Sequence, residues 1–445
     1  MILADPMIER RNPAVTVGFV DEYCQRYRAI FGDIRLYECF KWLHVGILSP
    51  LPRKTLPEIA KIVGLKDGQS LHHFFRDAVW NVQQVRATRL HMIRQVIGVR
   101  PMTLCIDETG DVKKGRATDY AAKQYIGNLG QTANGIVSVN VYGVVDGITY
   151  PLMFKIYKPK SRLKVGDTYK SKPQLAVEIV RELLALGFVI ERVLADSLYG
   201  ESGDVTGILH QFQLPYIVAI RSNHGVWMPK GQQIRYNRWH AYDQPLDSRP
   251  QERRYIREII FGKRRAVRYY QITKGSTDNP DKADSWFIMT NLPGDIILSV
   301  GSQYTLRTWI EYGFKQVKNE LGWHDYRLTD YDSIERWWEL IFSAYLLVSL
   351  HADEFKQQQQ IHTDDSTNTS PRPLPFSLHP HWELGTTWKS ALNNLRLLLQ
   401  PYWCWGWLEA WLQVFPIPRL QPAMHQLMDC MDTFRILPIP DLKAA

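Results

Sequence analysis

The stretch GIVSVNVYGVVDGITYPLMFKIY, residues 135–157, is rich in β-branched and aromatic residues and is interrupted once, at Asp146-Gly147. This composition predicts two antiparallel strands joined by a tight turn. A preceding strand, MTLCID at residues 102–107, and a turn at Asn134-Gly135 extend the pattern to three antiparallel strands. These three strands are therefore expected to start a sheet, and the elements that follow them in the sequence are expected to extend it.

The elements that follow alternate between helix and strand. They are a helix from Pro173 to Leu186, a strand from Phe188 to Ala195, a helix from Asp204 to Gln213 and a strand from Pro215 to Ile220. The resulting order, βββαβαβ, suits a mixed α/β sheet with helices on both faces. Two acidic residues, Asp107 and Asp196, lie at the ends of the first and the fourth strand. Glu108, beside Asp107, is expected to point to the opposite face of the strand.

The segment YTLRTWIEYGFKQVKNE, residues 304–320, is predicted to form one helix with a polar stripe. At about 100° per residue, a stripe about 60° wide holds four polar residues, Tyr304, Arg307, Glu311 and Lys318. Glu320 projects about 180° from Glu311, so it joins this face only if the helix is broken. The alternative interpretation is a solvated face with an i, i+4 ion pair between Arg307 and Glu311.

The spacing Y-x2-R-x3-E-x6-K, with IDETG at Asp107 and LADSLYG at Asp196, resembles the DDE transposases of bacterial insertion sequences that carry a β insertion before the glutamate. The resemblance covers about residues 100–330. It implies a ribonuclease-H-like core in which the strands of Asp107 and Asp196 are neighbours. It also implies that Asp107, Asp196 and Glu311 hold two Mg²⁺ ions, which Mn²⁺ can replace, for cutting and joining DNA. Carboxylates suit such a hard cation, and two ions can activate the attacking oxygen and stabilise the leaving oxygen.

The same resemblance implies DNA contacts outside the acidic residues. Arg307 and Lys318 correspond to positions that grip the phosphates of the transposon end, with Tyr304 as a hydroxyl donor. Trp286, in the strand SWFIMTNL, resembles a tryptophan that supports a flipped base when the DNA end is released through a hairpin. Packing of Trp286 in the core is the alternative. One departure is Thr308, since some relatives carry a second tryptophan there.

Residues 17–100 follow a helical pattern, and the segment 55–80 has the spacing of a helix-turn-helix, with a turn at Gly64 to Gly68. The second helix bears three residues that can contact DNA, His72, His73 and Arg76. An ordinary helical hairpin has the same spacing. The segment therefore predicts a DNA-reading domain over residues 1–100 only in combination with the acidic motifs.

The remaining organisation is predicted from composition. A catalytic domain at 101–355 contains a mostly β insertion at about 221–284, and a polar linker at 356–376 precedes a small helical region at 377–445. The tryptophans of that tail, at 403, 405, 407 and 411, are expected in helix packing or a partner contact. Two basic runs, Lys155–Lys172 and Arg253–Arg265, are expected to contact DNA phosphates, although charge runs often form only a solvated surface.

The overall composition agrees with a DNA partner. The 445 residues include 54 Lys and Arg against 45 Asp and Glu, and the net charge of +9 favours a polyanion. The five cysteines are odd in number and lack a C-x-x-C pair, which argues against a disulfide framework or a zinc ribbon. No signal peptide or membrane span is predicted, so we expect a cytoplasmic, nucleoid-associated protein.

Together these patterns predict a cut-and-paste transposase. The resemblance implies that such a protein binds the inverted ends of its element on double-stranded DNA, acts as a homo-oligomer of at least two chains, and transfers 3′-hydroxyl ends to target DNA. Two alternatives remain open from the sequence. One is a ribonuclease-H-like nuclease without strand transfer, and the other is a transposase-derived DNA-binding regulator without catalysis.

Overall fold

The computed structural model describes residues 11–226, 228, 230–231, 233–246, 249–261, 266–364, 378–385 and 387–432. The chain divides into two compact units. The sheet unit comprises residues 97–315, and the helical unit combines the residues up to 96 with those from 316 onward. The predicted boundary at 100 lies close to the division between 96 and 97, whereas the predicted boundary at 355 differs from it, because the residues from 316 onward belong to the helical unit.

The described elements are as follows. The helices are α1 (Gly18–Gln25), α2 (Ile34–Leu48), α3 (Leu56–Ile62), α4 (Gln69–Arg76), α5 (Val82–Ile97), α6 (Lys172–Ala185), α7 (Ser197–Gly200), α8 (Gly203–Gln211), α9 (Val300–Thr305), α10 (Thr308–Lys315), α11 (Tyr331–Asp364), α12 (Trp388–Val414) and α13 (Leu420–Asp432). The strands are β1 (Met102–Val112), β2 (Ala122–Ile126), β3 (Gln131–Val145), β4 (Ile148–Ile156), β5 (Ile190–Ala195), β6 (Tyr216–Ile220), β7 (Ile234–Tyr236), β8 (His240–Leu246), β9 (Arg249–Phe261), β10 (Arg268–Thr273) and β11 (Ser285–Thr290).

These strands form one mixed sheet, with the path β2-β3-β1-β5-β6-β11-β10-β9-β7 and with β4 and β8 beside β3 and β9. Strand β1 is antiparallel to β3 and parallel to β5, so the strands of Asp107 and Asp196 are neighbours, as predicted. The strands of the predicted insertion do not form a separate layer. They extend the same sheet through β11, which pairs with β6.

The two predicted turns have different outcomes. Asp146 and Gly147 have φ angles of 51° and 78° and join β3 to β4, which confirms that turn. The turn predicted at Asn134-Gly135 is wrong, because both residues lie inside β3. A Cβ atom on Gly135 would lie 2.5 Å from the carbonyl oxygen of Asp111, so this glycine allows a close approach of neighbouring strands. Strand β2 pairs with this part of β3 and was not predicted.

The helical unit has its core around α11. Trp338 on α11 stacks on Trp323 with ring centroids 4.4 Å apart, and both side chains are buried. Arg86 of α5 reaches Glu335 and Glu339 of α11, which explains why this helix belongs with the amino-terminal helices. Helix α11 continues to Asp364, so the linker predicted from 356 is wrong over its first residues. Its remaining part, 365–376, lies outside the described residues.

Among the described helices, none has both the length and the apolar character required to cross a membrane.

Candidate functional site

Arg307 connects two of the predicted acidic residues. It lies between α9 and α10, and its Nη1 is 2.9 Å from Oδ2 of Asp107, in β1. Its Nη2 is 2.9 Å from Oε1 of Glu311, one helical turn further along. The i, i+4 pair expected from the sequence is therefore present, and its arginine also bonds a strand residue 200 positions away. Arg307 thus brings Asp107 and Glu311 to one place.

The helix that carries this arginine is interrupted, so the predicted single helix over 304–320 is wrong. Helix α9 ends at Thr305, α10 begins at Thr308, and Gln316–Glu320 is a π-helix. Glu320 pairs with Lys389 at 2.6 Å and with Arg396 at 2.9 Å. Glu320 therefore has cationic partners of its own. Lys318 lies in the same π-helical segment.

Asp196 serves as a helix cap as well as a member of the acidic group. Its Oδ1 accepts a hydrogen bond of 2.9 Å from the backbone of Leu198 at the start of α7. Burial raises the pKa of Asp107 to about 7, Arg307 opposes this shift, and the charges of Asp196 and Glu108 add to it. The pKa of Asp196 is also raised, first by burial and then by Glu108. These shifts arise because the carboxylates are close together and largely screened from water.

Tyr304 belongs to the same group. Burial raises the pKa of its hydroxyl to about 12, against the effect of Arg307 and with the help of Asp196 and Asp107. The structure therefore brings together five of the predicted residues, Tyr304, Arg307, Glu311, Asp107 and Asp196.

Glu108 has partners that the sequence analysis missed. Its Oε1 accepts a hydrogen bond of 3.1 Å from Nζ of Lys172, and its Oε2 accepts one of 3.0 Å from the hydroxyl of Tyr199. Asp107 and Glu108 thus bond different partners. The charge of Glu108 nevertheless raises the pKa of both Asp107 and Asp196, so Glu108 belongs to the same acidic group. The motif LADSLYG contained a signal for Tyr199, because this residue follows Asp196 within one helical turn.

The donor set fits a hard divalent cation. Four carboxylates face two cationic side chains, those of Arg307 and Lys172, so the group has an excess of negative charge and offers oxygen ligands. In the described part of the chain, however, no three Asp, Glu, His or Cys side chains are arranged closely enough to hold a metal ion. Arg307 occupies the carboxylates of Asp107 and Glu311. These two acids can serve as ligands only if Arg307 finds another partner.

Trp286 lies at the start of β11 and is only half-buried. The guanidinium of Arg254 lies 5.0 Å from its ring centroid, as in a cation–π contact. Opposite it, Ile272 of β10 is buried. Trp286 is therefore at the margin of the sheet's apolar layer.

The helix-turn-helix segment is present as α3 and α4. Gly64 has a φ of 78° in the turn between them, a conformation that favours glycine. Helix α4 buries three apolar side chains, Leu71, Phe74 and Phe75, and exposes the three predicted DNA contacts, His72, His73 and Arg76. His73 also lies 3.5 Å from Asp77. Their role in DNA binding stays a prediction.

The basic runs are partly neutralised by acidic neighbours. In the run 155–172, five lysines pair with Asp or Glu side chains, namely Lys155, Lys158, Lys164, Lys170 and Lys172. In the other run, Arg253 pairs with Asp243 and Arg254 with Glu252, while residues 262–265 lie outside the described chain. Local ion pairs reduce the charge that is available to a phosphate backbone.

Two comparisons with known proteins show what the chain is similar to. A family model described as DDE superfamily endonuclease matches residues 35–276. The chain is also 52% identical over 330 residues to a protein of Microchaete diplosiphon named "Probable transposase for insertion sequence element IS701". That alignment covers 74% of this chain and 87% of the relative.

Proposed function

Because the chain belongs to the DDE superfamily endonucleases, as a transposase of an insertion sequence, we propose that it performs cut-and-paste transposition through Asp107, Asp196 and Glu311. It binds the inverted repeats at the ends of its element, cleaves the DNA there and joins the 3′-hydroxyl ends to target DNA. The observation that carries this proposal is the bridge from Arg307 to Asp107 and Glu311, beside the strand that Asp196 directly follows.

The sheet supports a ribonuclease-H-like core. Strands β4, β3, β1, β5 and β6 lie side by side, antiparallel up to β1 and parallel from β1 onward. Asp107 lies within β1, and Asp196 directly follows β5. The expectation that Asp107 ends its strand is wrong, because β1 continues to Val112, but the parallel register places Ile106 beside Ala195, so the next positions, Asp107 and Asp196, are adjacent.

In this proposal Asp107, Asp196 and Glu311 hold two divalent ions, Mg²⁺ or in its place Mn²⁺. When bound, such ions lower the pKa of an attacking hydroxyl and stabilise a leaving oxygen. Arg307 exchanges its carboxylate partners for a phosphate of the DNA end, for which a guanidinium is well suited. Tyr304 donates a hydroxyl to the same backbone, and Lys318 adds a further cation.

Further DNA contacts are assigned to side chains that are exposed or half-buried. His72, His73 and Arg76 of α4 read the inverted repeat, and Trp286, with Arg254 above its ring, supports an unstacked base in a hairpin pathway. The protein acts on double-stranded DNA as at least a dimer, in the bacterial cytoplasm at the nucleoid.

The experiment is cleavage and strand transfer on DNA that carries the genomic flanks of the gene, with Mg²⁺ or Mn²⁺. The wild type is expected to cut and to join ends, and Glu311→Gln is expected to do neither while it still binds the ends. Glu320→Gln is the matched control, because this glutamate pairs with Lys389 and Arg396 instead of Arg307.

Three other results would contradict parts of the proposal. Specific binding without cutting by the wild type would indicate a regulator. Cutting without joined products would indicate a nuclease. Flanks that are nicked but never closed as hairpins would exclude the hairpin pathway and leave the rest intact.

A further inference from the structure

The strands that extend the sheet beyond β6 carry different side chains on their two faces. Trp286 of β11 and Ile256 of β9 belong to one face, because both lie level with the same residue of β10. Arg257, the residue after Ile256, points to the other face, since side chains alternate along a strand. Tyr236 of β7 pairs with Ile259, two positions beyond Arg257, and therefore shares this second face. The second face is distinct from the one that carries Trp286.

On the second face, one arginine contacts two aromatic rings. The guanidinium carbon of Arg257 lies 4.3 Å from the ring centroid of Tyr236 and 4.3 Å from that of Trp239. Nε and Nη2 of Arg257 donate hydrogen bonds of 2.9 and 2.7 Å to Oε1 of Gln271. Because Gln271 is neutral, these two bonds fix the guanidinium and leave its charge uncompensated. We call Tyr236, Trp239 and Arg257 the aromatic–arginine surface.

This surface is accessible to a ligand. The side chain of Tyr236 is 53% exposed, and Trp239 and Arg257 are half-buried. An aromatic ring that is held by an arginine and still open to solvent can stack a further planar group.

The charge around the aromatic–arginine surface is positive. The sequence contains no Asp or Glu between Asp204 and Asp243, although this segment includes four Lys and Arg residues. Two of the four, Lys230 and Arg238, are exposed, and no ion pair joins them to an acid in the described part of the chain. The lysines of the run 155–172 differ, because five of them pair with acids. The segment before β8 therefore keeps its charge available to a polyanion.

Aromatic rings combined with uncompensated cations suit the unpaired nucleotides of a DNA strand. Every base has a flat face that stacks on an aromatic side chain, and the cations follow the phosphate backbone. In a duplex the faces of the bases are covered by their neighbours, so an exposed tyrosine gains little from it. An acidic peptide would use the cations but not the exposed ring.

We propose that the aromatic–arginine surface binds unpaired nucleotides of a DNA strand, with one base stacked on Tyr236 and the backbone phosphates at Arg257 and Arg238. The site lies on the face away from Trp286, so it is additional to the base contact assigned to that residue. The source of the strand rests on the proposed function, because DNA ends that open during cleavage supply unpaired nucleotides.

The test is fluorescence anisotropy of the full-length protein in EDTA, with a labelled oligothymidylate and with a duplex of equal length that carries the inverted repeat. Tyr236→Ala is expected to weaken binding of the oligothymidylate about tenfold, as for one lost stacked base, and to change duplex binding less than about twofold. Tyr236→Phe keeps the ring and should bind as the wild type does. Tyr125→Ala is the matched control, because Tyr125 lies in β2 and is 56% exposed.

A second measurement locates the site in the wild type and so does not depend on the folding of a variant. An oligothymidylate that contains 5-iododeoxyuridine is cross-linked by light, and the modified peptide is expected to contain Tyr236 or Trp239. Thermal melts verify that each variant is folded.

Three results would overturn the proposal. They are wild-type affinity of Tyr236→Ala for the oligothymidylate, equal weakening of single-stranded and duplex binding, and cross-links confined to other segments. Because both measurements exclude divalent metal, they do not depend on catalysis. A chain that binds the oligothymidylate through Tyr236 but never cuts would contradict only the proposed function, and a chain that cuts but lacks this contact would contradict only this inference.

Discussion

In the described part of the chain, an arginine meets two carboxylates both in the helical unit and in the sheet unit, and these two clusters differ in exposure and in charge. In the helical unit, Arg86 bonds Glu335 and Glu339, and Arg89 bonds Glu339, in a buried network with two cations and two anions. In the sheet unit, Arg307 bonds Asp107 and Glu311, beside the further acids Asp196 and Glu108.

The difference distinguishes a structural ion-pair network from a reactive one. The helical network pairs two arginines with two glutamates and is almost fully buried, so little room remains for another ligand. The acidic cluster of the sheet unit has more anions than cations, and the pKa of Asp107 is raised because burial and its neighbours disfavour its charge. A cation that binds this cluster would compensate its excess negative charge and stabilise the ionised form of its carboxylates.

The largest expected effect is loss of catalysis in the acidic cluster. Glu311→Gln should reduce cleavage by on the order of 10³-fold or more, because an uncharged amide is a weak ligand for a divalent ion. Its melting temperature should stay close to that of the wild type, since Glu311 is about half exposed. A single-turnover cleavage assay combined with a thermal melt measures both quantities. A large loss of stability instead would make Glu311 a structural residue.

The second effect is the reverse: in the helical network, a substitution should reduce stability and leave cleavage unchanged. Glu339→Gln should destabilise the folded protein by about 3–5 kcal/mol, because it leaves Arg89 buried without its charged partner. Protein that remains folded should cleave at the wild-type rate. Glu58→Gln is the control, because the exposed pair of Glu58 with Lys61 should contribute less than about 1 kcal/mol. Equal effects of the two substitutions in denaturant melts would refute the assigned role of the buried network.

The third effect is a pH dependence that is specific to the acidic cluster. The pKa of Asp107 rises from 3.8 to about 7 on folding, so between these values the folded chain holds a proton that the unfolded chain has released. Stability in EDTA should therefore fall as pH rises from 4 to 7, by up to about 4 kcal/mol for this shift.

Asp107→Asn should remove this dependence, and the difference between the two melting curves across pH isolates it from other titrating groups. At pH 8, Mn²⁺ should stabilise the wild type more than Asp107→Asn. Parallel curves for the two proteins would show that Asp107 has no raised pKa.

The sequence predicted those secondary-structure elements and site residues that depend on local patterns. Period-two and helical patterns located β3, β4, β5 and α6 within a few residues, because each segment has its own apolar face. The pair of Arg307 and Glu311 followed from helical spacing alone. Asp196 at a strand end was equally visible, whereas the neighbouring position of its strand came from the family resemblance and not from a local pattern.

The parts that failed depend on contacts between distant segments. A glycine at 135 signals a turn locally, yet the close approach of Asp111 keeps it in a strand. The break at Arg307 and the ion pairs of Glu320 with α12 could not be seen in the periodicity of residues 304–320. The assignment of α11 to the helical unit likewise depends on partners in α5, more than 240 residues earlier.

The smallest expected effect tests whether residues around the acidic cluster, such as Tyr199, help to position its carboxylates. The balanced network of the helical unit needs no such support. Tyr199→Phe removes one hydrogen bond to Glu108, a net change of about 1 kcal/mol, and should raise the Mn²⁺ concentration for half-maximal binding about fivefold. Calorimetric titration of Mn²⁺ measures this shift without DNA. Tyr216→Phe is the matched control, because its hydroxyl bonds His210. If both tyrosines changed stability equally and neither changed Mn²⁺ binding, Glu108 would belong to the packing of β1 and the reactive group would end at Asp107, Asp196 and Glu311.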